Sequence, residues 1–188
     1  MLINAETVDL VIDSATSIFS DGHGEFAEML EQLPAAIYVT DKDGTIIYFN
    51  RACVTLSGRE PVLGVDKWCV TWKLYTVEGE RLPHDECPMA VAIQQRRQIR
   101  DVEAVAERPD GSRVNFIPYP TPVFNESGDL SGAVNLLLEV RQADKPRYLR
   151  QQAERCRSLA NETGSSTLVE TLMLMAAKYD EQALRMNR

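Results

Sequence analysis

A chain of 188 residues has room for one domain of ordinary size with flanking helices, and not for two full domains. With 44% apolar and 26% charged residues it can bury a core, and its formal net charge of -8 excludes nucleic acid as the main partner, because phosphate binding is driven by clustered Lys and Arg. The charge is uneven: from Gln142 onward eight Lys and Arg stand against six Asp and Glu, a balance of +2 that leaves -10 for residues 1–141.

The first element is an amphipathic helix, apolar at Val8, Val11, Ile12, Ala15, Ile18 and Phe19. With the breaker run Ser20 to Gly24 it makes residues 1–24 a flanking segment outside the main domain. A short lead-in helix follows, with Phe26, Met29, Leu30 and Leu33 inward before Pro34 stops it. Ala36 to Thr40 and Thr45 to Phe49 then read as a hairpin whose turn holds Asp43-Gly44. Asn50 caps a helix that ends at Gly58, and Glu60 to Leu63 suits a second one ending at Gly64. After an aromatic-rich stretch, Trp68 to Tyr75, turns are expected at Glu78-Gly79 and Leu82-Pro83, then a helix over Asp85 to Gln95 capped by Asp85. Three strands close the domain at residues 25–141: Val102 to Glu107, Arg113 to Phe124 and Leu130 to Val140, joined by turns at Asp110-Gly111 and Ser127-Gly128.

Residues 142–188 predict a helical hairpin. One stripe holds Leu149, Ala153, Cys156 and Ala160, and the other Leu168, Leu172, Met175, Tyr179 and Met186, with a break over residues 161–166. Gly164 can close the first helix, and Thr167 with Glu170 has capping-box spacing for the second. Two such stripes leave apolar surface over, so the hairpin should dock on its own domain, a twin or another protein, and a homodimer is the economical expectation.

The order strand, strand, helices, strand, strand, strand resembles a PAS domain. The residues that carry the resemblance are Leu33-Pro34 leading into Ile37 to Asp41 with Asp43-Gly44, then Tyr48 to Ala52, Arg108 to Ser112, and Gly128 to Val134. It covers about 115 residues, and the order and spacing of the motifs carry it rather than any single one. The resemblance implies an α+β fold, a five-stranded antiparallel sheet with short helices over one face. It also implies a pocket between sheet and helices that takes a metabolite, haem or flavin and biases the flanking helices toward a signalling protein partner. Its tail is similar to small helical tails on short bacterial proteins.

The richest candidate site is Trp68 to Met89, where Trp68, Trp72, Tyr75, His84, Cys87 and Met89 gather in the expected pocket wall. Tyr38 joins them from the opening hairpin, and Asn115 and Asn135 are the sheet-side candidates, since an Asn half-buried on a strand needs a partner. Asn115 shares a face of its strand with Ile117 and Tyr119, and Asn135 shares one with Ala133 and Leu137. Cys87, close to a helix N-terminus, is expected to have a lowered pKa, and His84 to hydrogen-bond a polar ligand.

Other chemistries find less support. The four cysteines, Cys53, Cys69, Cys87 and Cys156, contain no CxxC pair and are expected to be reduced thiols; a zinc at His84 and Cys87 lacks two further ligands. No histidine follows His84, so neither a haem ligand on the long helix nor the phosphoacceptor of a two-component kinase is expected. Cys69 lies in Gly64-Val65-Asp66-Lys67-Trp68-Cys69-Val70-Thr71, where the Asn and Gln of the family's flavin photoreceptor signature are missing, so it reads as a buried thiol. No cofactor is required by the sequence. No run approaches the roughly 18 uncharged apolar residues of a membrane helix, nor is there a secretory leader, so a cytoplasmic protein is expected. The leading reading is a non-catalytic sensory module for an unidentified small molecule. The alternative is a haem- or flavin-bearing redox or light sensor, and a third would use His84, Glu86 and Cys87 as catalytic groups.

Overall fold

A computed structural model describes residues 30–140, 145–163 and 166–185, together with Ile12 and Thr16. The chain divides into two compact units, Met1–Glu139 and Val140–Arg188. The first contains strands β1 (Ala36–Asp41) and β2 (Ile46–Phe49), helix α1 (Arg51–Ser57), strands β3 (Lys73–Tyr75) and β4 (Arg81–Leu82), a 3-10 turn (His84–Glu86), helix α2 (Pro88–Gln95), and strands β5 (Ala104–Glu107), β6 (Arg113–Phe124) and β7 (Leu130–Glu139). The second holds helices α3 (Lys145–Glu162) and α4 (Ser166–Arg185).

Local side-chain chemistry sets the hairpins. At the β1–β2 turn the Asp41 carboxylate accepts the N–H groups of Asp43 and Thr45 at 2.9 and 2.8 Å, and Gly44 takes φ +79°. Asn125 does the same between β6 and β7, accepting from Ser127 and Asp129 at 3.0 and 2.8 Å. Asp110 accepts from Ser112 at 2.8 Å between β5 and β6. Asn50 holds the start of α1: its carbonyl oxygen accepts from Ile37 N at 3.1 Å and Cys53 N at 3.3 Å, while its amide donates to the Leu30 and Ala35 carbonyls, both at 2.9 Å. Gly58 closes that helix in the left-handed region.

The sheet is antiparallel throughout, in the order β2-β1-β7-β6-β5-β3-β4. It has seven strands where five were expected. β3 and β4 are three and two residues long, too short to leave an alternation signal, and the pairing of β3 to β5 and of β4 to β3 makes them strands. Pro118, Pro120 and Pro122 alternate along β6. The Pro120 carbonyl points away from β7, accepting from Ile99 N and the Arg100 guanidinium, so these prolines put their missing N–H groups on the side that needs no ladder bond.

Two apolar layers flank the sheet. On the inner face, Tyr38, Ile46, Leu74, Ala104, Ala106, Phe116, Ala133 and Leu137 pack with Cys53 and Leu56 of α1, Cys69 and Val70, and Met89, Ala90 and Ile93 of α2. On the outer face, Ile37, Val39, Val134 and Leu136 pack with Leu30 and Ile12. Ile12 is 2% exposed, so its side chain covers the sheet at that point.

Two helix expectations change. Residues 60–63 form no helix; instead the backbone turns at Val62 to Asp66, where Val65 N and Asp66 N both reach the Val62 carbonyl. Asp66 accepts from Val62 N at 2.9 Å and pairs with Arg59 at 2.5 Å, a local closure that competes with helix. The helix expected from Asp85 begins at Pro88, because Pro at the first helical position puts the cap at Cys87, and Asp85 falls in the preceding 3-10 turn.

In the tail unit Leu149, Ala153, Cys156 and Ala160 are buried as expected. On α4 the inward stripe is Leu172, Ala176, Tyr179 and Ala183, while Leu168 and Met175 are exposed, because the small side chains of α3 leave room for a close approach centred on Ala176. Arg157 and Asp180 pair across the hairpin. Gly164, the Thr167 side chain and Met186 lie outside the described residues.

Candidate functional site

The inner face of the sheet carries few polar groups, and most of them join one chain. The Asn135 amide donates to the Tyr38 hydroxyl at 3.0 Å, and that hydroxyl donates to the Trp68 carbonyl at 2.8 Å. The Asn135 carbonyl oxygen accepts from Tyr119 N at 2.9 Å. Cys87 donates to the same Trp68 carbonyl at 3.7 Å. One residue on, Cys69 Sγ lies 3.2 Å from Thr71 Oγ1, which lies 3.4 Å from His84 Nε2. Register explains the first link: Tyr38 and Asn135 are direct partners across β1 and β7, so their side chains share a face.

The Trp68 carbonyl is aimed inward by an unusual backbone. Trp68 has φ +69°, a conformation costly for a bulky residue. Its ring lies on Gly44, where an added Cβ would fall 2.1 Å from a ring carbon, and its N–H donates to the Gly44 carbonyl at 2.8 Å. Arg59 fixes the other side of the loop, donating to the Val70 carbonyl at 3.0 Å.

The electrostatics of the two thiols run opposite to expectation. Cys87 is raised, chiefly by the neighbouring Cys69 sulfur and by burial. Cys69 is lowered, chiefly by Cys87 beside it, and His84 and Thr71 add to the effect against the cost of burial. The N–H groups of Met89 and Ala90 at the helix start do favour the Cys87 thiolate, but burial and the neighbouring sulfur outweigh them. Burial pushes Tyr38 well above the ordinary tyrosine range, with Cys69 and Cys87 adding to the shift.

Thr40 differs from the rest. It lies on β1 two residues after Tyr38, on the same face, and is fully buried between strand partners Ile46 and Ala133. Its hydroxyl is the one buried side-chain oxygen or nitrogen without a hydrogen-bond partner among the described residues.

Of the residues expected at a site, the structure brings together Tyr38, Trp68, Cys87 and Asn135 directly, His84 through Thr71, and Met89 in the same apolar layer. It does not bring Trp72, Tyr75 or Asn115 there. Trp72 is 51% exposed. Tyr75 is on the outer face with Arg113 stacked 4.3 Å from its ring centre, since its strand neighbour Leu74 takes the inward position. Asn115 pairs with Val105, also on the outer side, and donates to Glu103 at 2.7 Å. Thr40 and Thr71 were not singled out in the sequence: a Thr in a strand, as at Thr40, reads as ordinary β propensity, and Thr71 lies in the loop before β3 with no motif around it.

Among the described residues no cluster of three His, Cys, Asp or Glu could hold a metal, and no helix is long and apolar enough to cross a membrane. A groove of about 390 Å³ in the tail unit, lined by Leu159, Glu162, Thr163, Leu168 and Leu172, has little polar chemistry.

A family model described as a PAS domain matches residues 34–141. Among solved structures, the RsLOV d2 variant aligns with a TM-score of 0.50 at 11% identity, covering 86% of this chain and 94% of that one. A light-oxygen-voltage domain studied with a flavin analogue aligns with a TM-score of 0.50 at 15% identity over 68% of this chain and 93% of that one. The LOV protein of Rhodobacter sphaeroides aligns at 0.49 and 11% identity over 84% and 91%. At these identities the likeness is one of fold. No curated protein matches the chain.

Proposed function

Because the chain belongs to the PAS domain family, we propose that it is a non-catalytic sensory module that takes up a small, mostly apolar molecule on the inner face of its sheet. One hydrogen-bonding group of that molecule meets Thr40. The observation that carries this reading is the Thr40 hydroxyl, buried and unpartnered, where leaving such a group unmade costs about 1–3 kcal/mol. The neighbouring Tyr38, Asn135 and Trp68 carbonyl supply a rigid polar edge, and the apolar layer around Met89 and Phe116 supplies the bulk of contact. The signal passes through the flanking helices to a protein partner. Exposed Leu159, Leu168, Met173, Leu174 and Leu184 on the tail helices support self-association as a homodimer.

Flavin fits this face poorly. Its ring system presents several donors and acceptors along one edge, whereas the inner positions of β5, β6 and β7 are Ala104, Ala106, Val114, Phe116, Ala133 and Leu137, and Asn135 is already engaged. Haem finds no histidine ligand among the described residues either, since the ring of His84 is turned to Thr71.

Thr40→Val tests the reading. Valine keeps the shape without the hydroxyl, so the ligand-free protein should hold its stability within about 1 kcal/mol or gain some. Native mass spectrometry of the full chain after expression should show a small adduct on a dimer, and the variant should lose that adduct. A loss of stability well above this range in ligand-free Thr40→Val, or an adduct retained by the variant, overturns the assignment.

A further inference from the structure

The two thiols at the Trp68 turn are poised for chemistry that needs neither a bound ligand nor a cofactor. Cys69 and Cys87 are both buried in the inner layer, and Cys87 Sγ is hydrogen-bonded to the peptide carbonyl immediately preceding Cys69. Thr71 bonds Cys69 on its other side and connects it to His84, which is partly exposed, so the pair is nearest to solvent at that end. We propose that Cys69 and Cys87 form an oxidisable dithiol that a small hydroperoxide converts to a disulfide.

The step balances without a further reactant. The Cys69 thiolate attacks the distal peroxide oxygen; the O–O bond breaks, an S–O bond forms, and the leaving oxygen takes a proton to depart as water or an alcohol. Cys69 is then a sulfenic acid, oxidised by two electrons. Cys87 next attacks that sulfur, an S–S bond replaces the S–O bond, and water leaves with the Cys87 proton. The order of roles follows from the hydrogen bonds: Cys87 keeps its proton on the Trp68 carbonyl, whereas the Cys69 sulfur faces the Thr71 hydroxyl, which leads to His84, so Cys69 is the sulfur that ionises first. Cys53 makes a poor competitor: its thiol is bonded to the Ile37 carbonyl at 3.1 Å, and burial pushes it far above the ordinary thiol range.

Closing the bond removes the Cys87 proton from the Trp68 carbonyl, which also accepts from Tyr38. Oxidation therefore alters the polar edge of the inner face while leaving the sheet intact.

The test treats the reduced full-length protein with hydrogen peroxide, blocks remaining thiols under denaturing conditions and maps the peptides by mass. The expected result is loss of two free thiols and a crosslinked peptide pair joining Cys69 to Cys87. Cys87→Ser should accumulate a Cys69 sulfenic acid that dimedone traps, and Cys69→Ser should slow oxidation of Cys87 by about tenfold or more. Four free thiols after treatment, or a disulfide through Cys53 or Cys156, overturns the proposal; so does Cys69→Ser reacting at the parent rate. The mapping of the parent protein decides the matter even where a variant fails to fold.

Discussion

Asn50→Leu is expected to lower the stability of the sensory unit by about 3–5 kcal/mol, the largest loss of any single polar substitution in it. The side chain fills all four of its hydrogen-bonding sites with backbone groups from three separate segments: the Leu30 and Ala35 carbonyls of the lead-in, Ile37 N of β1, and Cys53 N of α1. It is fully buried, so no water replaces it when it is removed. With leucine of similar size, Cys53 N keeps the backbone carbonyl of residue 50 and the Leu30 carbonyl keeps Leu33 N, but Ile37 N and the Ala35 carbonyl lose their side-chain partner, each costing about 1–3 kcal/mol before relaxation. Asn50→Asp is the informative partner. A carboxylate still accepts from Ile37 and Cys53 but has nothing to donate to Leu30 and Ala35, so its loss should be about as large at neutral pH and smaller at acid pH, where the protonated acid donates once. Urea unfolding of the three proteins measures both effects. An Asn50→Leu loss under about 1 kcal/mol would mean that the three segments are held by packing alone.

Much of this frame was legible in the sequence because its signals are local. Asp41, Asp110 and Asn125 fold back on their own turns, and each turn needs only its own five residues to specify it. The strand Arg113–Phe124 announces itself by alternation, and its bounds agree with expectation. The candidate site was legible only in part, because it depends on register. Alternation along one strand says which residues share a face, not which face of one strand matches which face of the next. Pro120 lies opposite Asn135, so the even-numbered positions of β6 share the inner face with the odd-numbered positions of β7, and Asn115 is carried to the other side. The same parity, passed through Val105, places Tyr75 outward. Cys69 and Cys87 posed a different difficulty: a helix N-terminus argued for Cys87 as the more acidic thiol, but a second sulfur nearby reverses the order, and the Trp68 carbonyl that brings the two segments together joins a loop and a turn that no spacing rule connects.

Gly44 shows how a local signal can conceal a long-range one. Its place in an Asp-Gly turn accounts for φ +79°, and a turn alone would make Gly44→Ala cost about 1–2 kcal/mol. The structure adds the Trp68 ring, with three of its carbons at 2.1, 2.2 and 2.7 Å from where the new methyl would stand. Nothing within those distances can stay in place, so the indole must move, and it is attached to a residue already held at φ +69° whose carbonyl receives Tyr38 and Cys87. Overpacking of this kind adds about 1–3 kcal/mol, giving about 2–5 kcal/mol in total. A double-mutant cycle separates the parts. In a Trp68→Ala background the overlap is gone, and Gly44→Ala should cost only the backbone share, so the coupling energy measures the contact between turn and loop. Gly44→Ala in the parent should also shift tryptophan fluorescence and raise the rate at which Cys69 is alkylated, because the displaced ring uncovers the loop that holds it. If the two substitutions prove additive and Cys69 reacts at the parent rate, the hairpin turn and the thiol-bearing loop are independent, and the first strand pair does not communicate with the inner face through Trp68.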